Sequence, residues 1–339
     1  MTGETAMLYK MEPLRIVAIG GGTGLSSLLH GLKRYARQPA QAEITAVVTV
    51  TDDGGSSGRL RREFDVLPPG DIRNCMVALS EDEATLSRLF QYRFAGGSGL
   101  KGHSFGNLFL TALTNLTGDF AQAVKLSTEI LASAGRIYPS TSAKVALEAE
   151  LENGKVVLGE TRISRSRARI RRIRLNPRES KPLPETLEAI ARADLITFGP
   201  GSLFTSIVPN LLVQGVSQAI YRSPAIKAYF VNLMWQPGET IEFKASDHVE
   251  AILRHAGRPL LDVVVVNNRA VTPRQRRKYI TERVQPVVND AERLNQLNLE
   301  VVGADLLGRG DIVRHDPEST AEIAMELARR SRRAATKVS

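Results

Sequence analysis

The stretch "RIVAIGGGTGLSSLLHGL", Arg15 to Leu32, joins an apolar strand to an amphipathic helix through three consecutive glycines. A strand that feeds a helix through so short a loop needs a crossover to its next strand. Ile44 to Val50, β-branched and apolar, supplies that strand, and the three elements predict a right-handed βαβ unit with parallel strands. Glycine admits positive φ and close approach to a ligand, while the helix start presents free N–H groups and its positive dipole end. Such a loop suits a phosphate, with a tight turn and no ligand as the lesser alternative. Read as G-x-G-x-x-G from Gly20 or Gly22, the last position falls on Leu25 or Ser27. No Lys-Ser/Thr follows to make a P-loop.

Further strand-and-loop signals repeat along the chain in "DLITFGPGSLFTS", "AYFVNLMWQPGET" and "LDVVVVNN". Helical spacing marks Thr23 to Arg37, Ile72 to Leu79 and Phe105 to Leu116. The expected fold is α/β, a Rossmann-like, doubly wound, mostly parallel sheet with ligands outside the carboxyl ends of its strands. Short alternating runs at about 148–176 predict a small β excursion. No Ser- or Pro-rich linker divides the chain. The expected organisation is a disordered N-terminus at 1–12, one α/β domain over 13–322, and a basic C-terminal helix or tail at 323–339.

Polar residues gather where these strands end. After the second strand come adjacent acids, Asp52 and Asp53, then Gly54, Gly55, Ser56, Ser57 and Gly58. Successive strand residues point to opposite faces, so the two carboxylates converge on a metal or ribose only if the chain turns there; otherwise one caps the turn and the other is solvated. "LPPGDIRNC" reads as a turn with Asp71 as N-cap, placing Arg73 and Asn74 in the first helical turn. "LKGHSFGNLFL" brings His103, Ser104 and Asn107 to another helix start, with His103 either a structural hydrogen bonder or an acid-base group. Gly199, Gly201 and Ser202 form a second glycine-hydroxyl loop, a second candidate phosphate cradle. Asn232 and Asn267 follow two later strands.

The net charge of +9 is local. Arg162 to Arg174 and Ala328 to Ser339 together carry twelve positive charges and no acid, so the rest of the chain carries −3. Along "SRSRARIRR", strand alternation places Arg165, Arg167 and Arg169 on one face. That reads as an exposed edge ribbon, with an anionic partner as the alternative; no interleaved aromatics point to nucleic acid. The tail "ARRSRRAATK" reads as a frayed helix end. The single cysteine, Cys75, excludes a disulfide framework and a cysteine-built zinc site, and no signal peptide or membrane span is legible, so a cytoplasmic location without membrane insertion is expected.

"AIGGGTGLSSLLHGL", "TVTDDGGSSGRLR", "LPPGDIRNC", "KGHSFGNL", "ADLITFGPGSLFTSIVPNLLV" and "VNLMWQPGET" together resemble the YvcK family of bacterial gluconeogenesis factors, a branch of the CofD-like superfamily. The likeness runs from about Arg15 to His315. It implies a three-layer CofD-like fold, binding of UDP-sugars such as UDP-N-acetylglucosamine or UDP-glucose, and a cytoplasmic role in cell shape and wall synthesis during gluconeogenic growth. It also implies that Tyr279 and Arg314 bind the nucleotide sugar, roles that suit a ring able to stack on a base and a guanidinium able to fork onto a diphosphate. The chain departs from the family pattern at Asp65, at Trp235 and after "RHD", where it reads "RHDPESTAEI".

The leading expectation is therefore a UDP-sugar-binding regulator. Gly21, Gly22, Thr23 and Gly24 cradle a phosphate, with Asn74, Asn107, Gly199, Gly201, Ser202, Asn232, Asn267, Tyr279 and Arg314 as further ligand contacts. Mg²⁺, if used, falls to Asp52 and Asp53. The alternative is a CofD-type, Mg²⁺-dependent phospholactyl or nucleotidyl transferase, with Asp52, Asp53, Arg73 and His103 as catalytic candidates. An NAD-dependent oxidoreductase ranks third. Protein partners in cell-wall synthesis and homo-oligomers are left open.

Overall fold

The computed structural model describes residues 12–37, 39–81, 85–166, 168–279 and 284–338. The expected N-terminal disorder therefore falls almost wholly, and Arg167 wholly, outside the described residues.

The predicted βαβ unit is present as β1 (Leu14–Gly20), α1 (Gly22–Ala36) and β2 (Ala42–Val48), with β1 and β2 parallel. β2 ends two residues earlier than expected, because Thr49 N–H already bonds Gly20 O at 2.9 Å and closes the ladder. The remaining strands of the main sheet are β3 (Arg136–Pro139), β7 (Leu195–Phe198), β8 (Ile226–Phe230), β9 (Val263–Asn267) and β10 (Glu300–Ala304). They pair in parallel in the order β10-β9-β8-β7-β1-β2-β3. Helices cover both faces, so the central strands are near-continuous apolar runs; every residue of β7 is buried.

From β1 the chain crosses outward to β2, whereas from β7 it crosses the other way to β8. β1 and β7 therefore flank the switch point, where a crevice opens beyond the strand ends. Ile19 lies opposite Phe198, so the loops that follow leave the sheet side by side. Helices α2 (Gly55–Phe64), α3 (Gly70–Leu79), α4 (Thr85–Gln91) and α5 (Phe105–Thr117) build the wall beyond β2.

The β excursion is a three-stranded antiparallel sheet of β4 (Ala146–Leu151), β5 (Val156–Leu158) and β6 (Ile170–Asn176), in the order β5-β4-β6. The expected arginine ribbon is not a strand in its first half. Gly159, at φ +94°, turns the chain into a short helix, Glu160–Ser164. Asp53 holds that helix start, its Oδ1 accepting Thr161 N–H at 2.8 Å and the Thr161 hydroxyl at 2.6 Å. The cap comes from a residue more than a hundred positions upstream, which strand alternation does not register. In and beside β6 the arginines face acids: Arg169 meets Glu242, Arg171 meets Glu150, and Arg174 meets Glu148 and Glu150.

The C-terminal segment is not a frayed end. Helix Pro317–Val338 buries Ala321, Ala324, Met325, Leu327 and Ala328. It crosses α1 so closely that a Cβ on Gly31 would stand 1.9 Å from Pro317 O. Arg332 then pins it to Asp194 and to the carbonyls of Glu12 and Pro13. Among the described residues no single helix is long and apolar enough to cross a membrane, and the bent pair Leu203–Leu211 and Val216–Arg222 is core, with Leu203, Ile207, Val208, Val216 and Ile220 fully buried.

Candidate functional site

At the switch point the first glycine loop takes the shape its sequence allows. Gly21 is extended and Gly22 lies at φ +62°, and α1 begins there with no side-chain cap, so its first N–H groups face the crevice. The second loop touches the first. A Cβ on Gly24 would lie 2.4 Å from Pro200 O and 2.8 Å from Gly201 Cα, so only glycine permits the contact.

Between the loops is a cavity of about 270 Å³. Gly21, Gly22, Thr23, Gly24, Gly201, Ser202, Asn232, Tyr279 and Arg314 all line it, bringing together stretches nearly three hundred residues apart. Gly199, at φ +75°, lies behind the second loop and shapes it. One wall is a polar chain: Asn232 Nδ2 donates to Gln236 Oε1 at 2.9 Å, and Gln236 Nε2 donates to Ser202 Oγ at 2.8 Å. Opposite, the Tyr279 hydroxyl accepts Val313 N–H at 3.0 Å and so fixes the loop that carries Arg314. His315 faces Val231 O at 3.1 Å, and desolvation lowers its pKa to about 4, so the ring is neutral and Nε2 carries the proton.

The carboxylates are arranged differently from the sequence expectation. Asp53 serves the helix cap described above, whereas Asp52 caps its own turn through Oδ1, which accepts Gly54 N–H at 2.8 Å, and aims Oδ2 toward Gly70. The pair does not converge. Asp71 is not an N-cap either: α3 starts at Gly70, which turns the Asp71 side chain back onto the first glycine loop, where it accepts Gly22 N–H. Burial and the neighbouring Asp52 charge push the Asp71 pKa up to about 7. Glu160 is raised to about 9 by burial and then by the charges of Asp52, Asp71, Glu239 and Asp53. Glu239, from "QPGET", is buried; it accepts Phe204 N–H and the Thr205 hydroxyl, each at 3.1 Å, and burial lifts it to about 7. Thus Asp52, Asp71, Glu160 and Glu239 share one electrostatic neighbourhood, although the sequence singled out only Asp52 as a ligand. The signal for Asp71 and Glu239 lay in two motif strings, "PGDIRN" and "QPGET". Among the described residues no three His, Cys, Asp or Glu side chains gather in a metal-holding group.

Arg73 and Asn74 reach a second, larger cavity of about 1070 Å³, which shares Thr23, Ser27, Arg314 and His315 with the first. His103 and Asn107 line neither. His103 is 2% exposed with Nδ1 2.9 Å from the Ser56 hydroxyl, and burial lowers its pKa; Asn107 Nδ2 donates to the same hydroxyl at 3.2 Å. Both fasten α2 to α5. Asn267 closes β9, its Oδ1 accepting Leu306 N–H at 3.1 Å, and lines only a third cavity of about 220 Å³ beside Asn232.

Comparison with known proteins gives the family and the fold. A family model described as 2-phospho-L-lactate transferase CofD matches residues 16–307. The gluconeogenesis factor of Bacillus subtilis (strain 168) is 46% identical over 314 residues, covering 92% of this chain and 98% of the relative. The gluconeogenesis factor of Halalkalibacterium halodurans is 44% identical over 317 residues, covering 93% and 97% respectively. A crystal structure of a UPF0052-family protein from Bacillus halodurans superposes with a TM-score of 0.89 at 44% identity, over 93% of this chain and all of the other.

Proposed function

Because the chain belongs to the CofD family, among its gluconeogenesis factors, we propose that it is a regulatory protein that binds UDP-N-acetylglucosamine or UDP-glucose between its two glycine loops. The observation that carries this reading is the cavity that unites the Gly21–Gly24 loop, the Gly201–Ser202 loop, Asn232, Tyr279 and Arg314. The diphosphate lies on the N–H groups of α1 that follow Gly22 and on the Thr23 and Ser202 hydroxyls, Arg314 forks onto it, and Tyr279 offers a ring face to uracil. A cytoplasmic role in cell shape and wall synthesis during gluconeogenic growth, exercised through protein partners, follows from the family resemblance.

Mg²⁺, if used, would fall to Asp52 and Asp71. Asp52 keeps Oδ2 clear of its own cap, and Asp71 adjoins the glycine loop, which suits an ion held by two carboxylates and ligand phosphate. Such an ion would offset diphosphate charge. Asp53, held by Thr161, stands outside that pair.

A second reading, a group transferase of the CofD type, is favoured by Asp52, Asp71 and Glu160 lying near the cradle with two raised carboxyl pKa values. Calorimetric titration with UDP-N-acetylglucosamine, UDP-glucose and NAD, with and without Mg²⁺, followed by mass spectrometry of the recovered ligand, separates the readings. Micromolar binding of an intact UDP-sugar supports the regulator. A changed ligand supports the transferase, and binding of NAD alone sinks both.

A further inference from the structure

The larger cavity lies beyond the wall formed by Thr23, Ser27, Arg314 and His315 and holds a concentration of positive charge that the nucleotide-sugar cavity does not use. Arg73, Arg93 and Arg309 line it and not the smaller cavity, while Arg314 lines both. None of these arginines has a carboxylate bonded to it among the described residues. Arg73 donates only to neutral groups, the Ser104 hydroxyl at 2.8 Å and Asn74 Oδ1 at 2.6 Å, and Arg93 donates to Gly102 O at 2.9 Å. The acids on the cavity wall already have partners. Asp311 pairs with Arg274 and Lys278, and Asp316 accepts Ser319 N–H and its hydroxyl at the start of the C-terminal helix.

Arg73 is the informative member. It is 8% exposed, and its Nε is buried with no partner. Burial and the neighbouring charge of Arg93 both lower its pKa, with partial relief from Asp71 and Asp52. A buried guanidinium beside a second cation, bonded to neutral groups alone and with one N–H unused, is an unfavourable arrangement that an anion would relieve. Arginine pairs match the geometry of phosphate oxygens. The rest of the wall, with Ser26, Ser87 and Gln91, offers hydrogen-bonding groups to a polar body.

We propose that Arg73 and Arg93 form a subsite for the phosphate of a second small molecule, a phosphomonoester with a hydroxylated body, bound beside the nucleotide-sugar cavity rather than in it. The subsite stands whether or not the smaller cavity takes a UDP-sugar. Occupancy of both would place two phosphorylated ligands on either side of Arg314 and His315, so that binding of one reports on the other.

The test is calorimetric titration of the full chain with glucose 6-phosphate as probe and glucose as control, alone and with UDP-N-acetylglucosamine present. Arg93, exposed on the cavity rim, gives a variant that leaves the core intact. The expected result is one site for the probe and none for glucose. Affinity should fall about tenfold or more in Arg93→Gln, the size of a lost charge-assisted hydrogen bond. Asn232→Ala, which alters only the smaller cavity of the pair, should leave it unchanged. Three results would overturn the subsite: no binding of the probe, equal binding by Arg93→Gln, or displacement of the probe by UDP-N-acetylglucosamine with one-site competition. A flat UDP-sugar titration beside Arg93-dependent binding of the probe would sink the nucleotide-sugar reading and keep the subsite.

Discussion

Tyr279 and Arg314 show how a residue's role changes once its partners are known. The sequence offers a ring and a guanidinium; the structure adds that the Tyr279 hydroxyl holds Val313, next to Arg314. Arg314→Ala and Tyr279→Ala should each cost about 1 to 3 kcal/mol of UDP-sugar affinity by calorimetry. Tyr279→Phe separates the roles: it keeps the ring and removes the anchor, so a loss matching Tyr279→Ala would assign the effect to loop positioning alone. Asp71 carries a pH dependence. Its carboxyl is raised to about 7, so it is largely protonated at pH 6 and ionised at pH 8. Any Mg²⁺-dependent gain in UDP-sugar affinity should therefore grow between those pH values in the wild type and be absent in Asp71→Asn. Glu160 acts on stability. A carboxyl raised from 4.5 to about 9 favours the fold below its unfolded pKa, and that contribution is lost as pH rises through 9. Glu160→Gln should thus raise the melting temperature at pH 9 by roughly 1 to 3 °C and lower it, or leave it unchanged, at pH 5.

Elements here are positioned by close backbone contacts that forbid side chains. Gly24 belongs to α1 yet touches Pro200 and Gly201, which locks the two glycine loops together. Gly24→Ala should destabilise the protein by about 2 kcal/mol or more in urea unfolding, because backbone rather than a mobile side chain must give way. If stability held while UDP-sugar affinity was also unchanged, the contact would not set the cavity. Gly96, with open space around it, is the matched control. The helix Glu160–Ser164 is the other instructive element. Its end overlaps the start of the expected Arg162 to Arg174 ribbon, since arginine spacing carries no information about a cap donated by Asp53. The same cap explains why the Asp52–Asp53 pair cannot be read as one site. Both lie in the loop after β2, where one aims at Gly70 and the other caps the helix of the excursion.

For the whole molecule, the C-terminal helix is structural. It covers α1, and Arg332 ties it to Asp194 and to the entry of β1. A chain ending before Pro317 should lose cooperative thermal unfolding or fall well below the full chain in melting temperature; an unchanged melting curve would show the helix to be dispensable. Local sequence determined much of this protein. Hydrophobic periodicity and glycine spacing specify β1, α1 and β2, the parallel sheet and the loop at its centre, because burial on two sides leaves few alternatives to an apolar strand followed by a glycine turn and an amphipathic helix. The motif strings carried the family, and with it Tyr279 and Arg314. Tertiary structure alone decided which polar groups meet. Asp53 found Thr161, Asp71 found Gly22, and Arg73 found the Ser104 hydroxyl and Asn74, since each of these depends on where strand ends converge in space. Hydrophobic patterning fixes which faces turn inward; it says nothing about which charges lie opposite one another once they have turned.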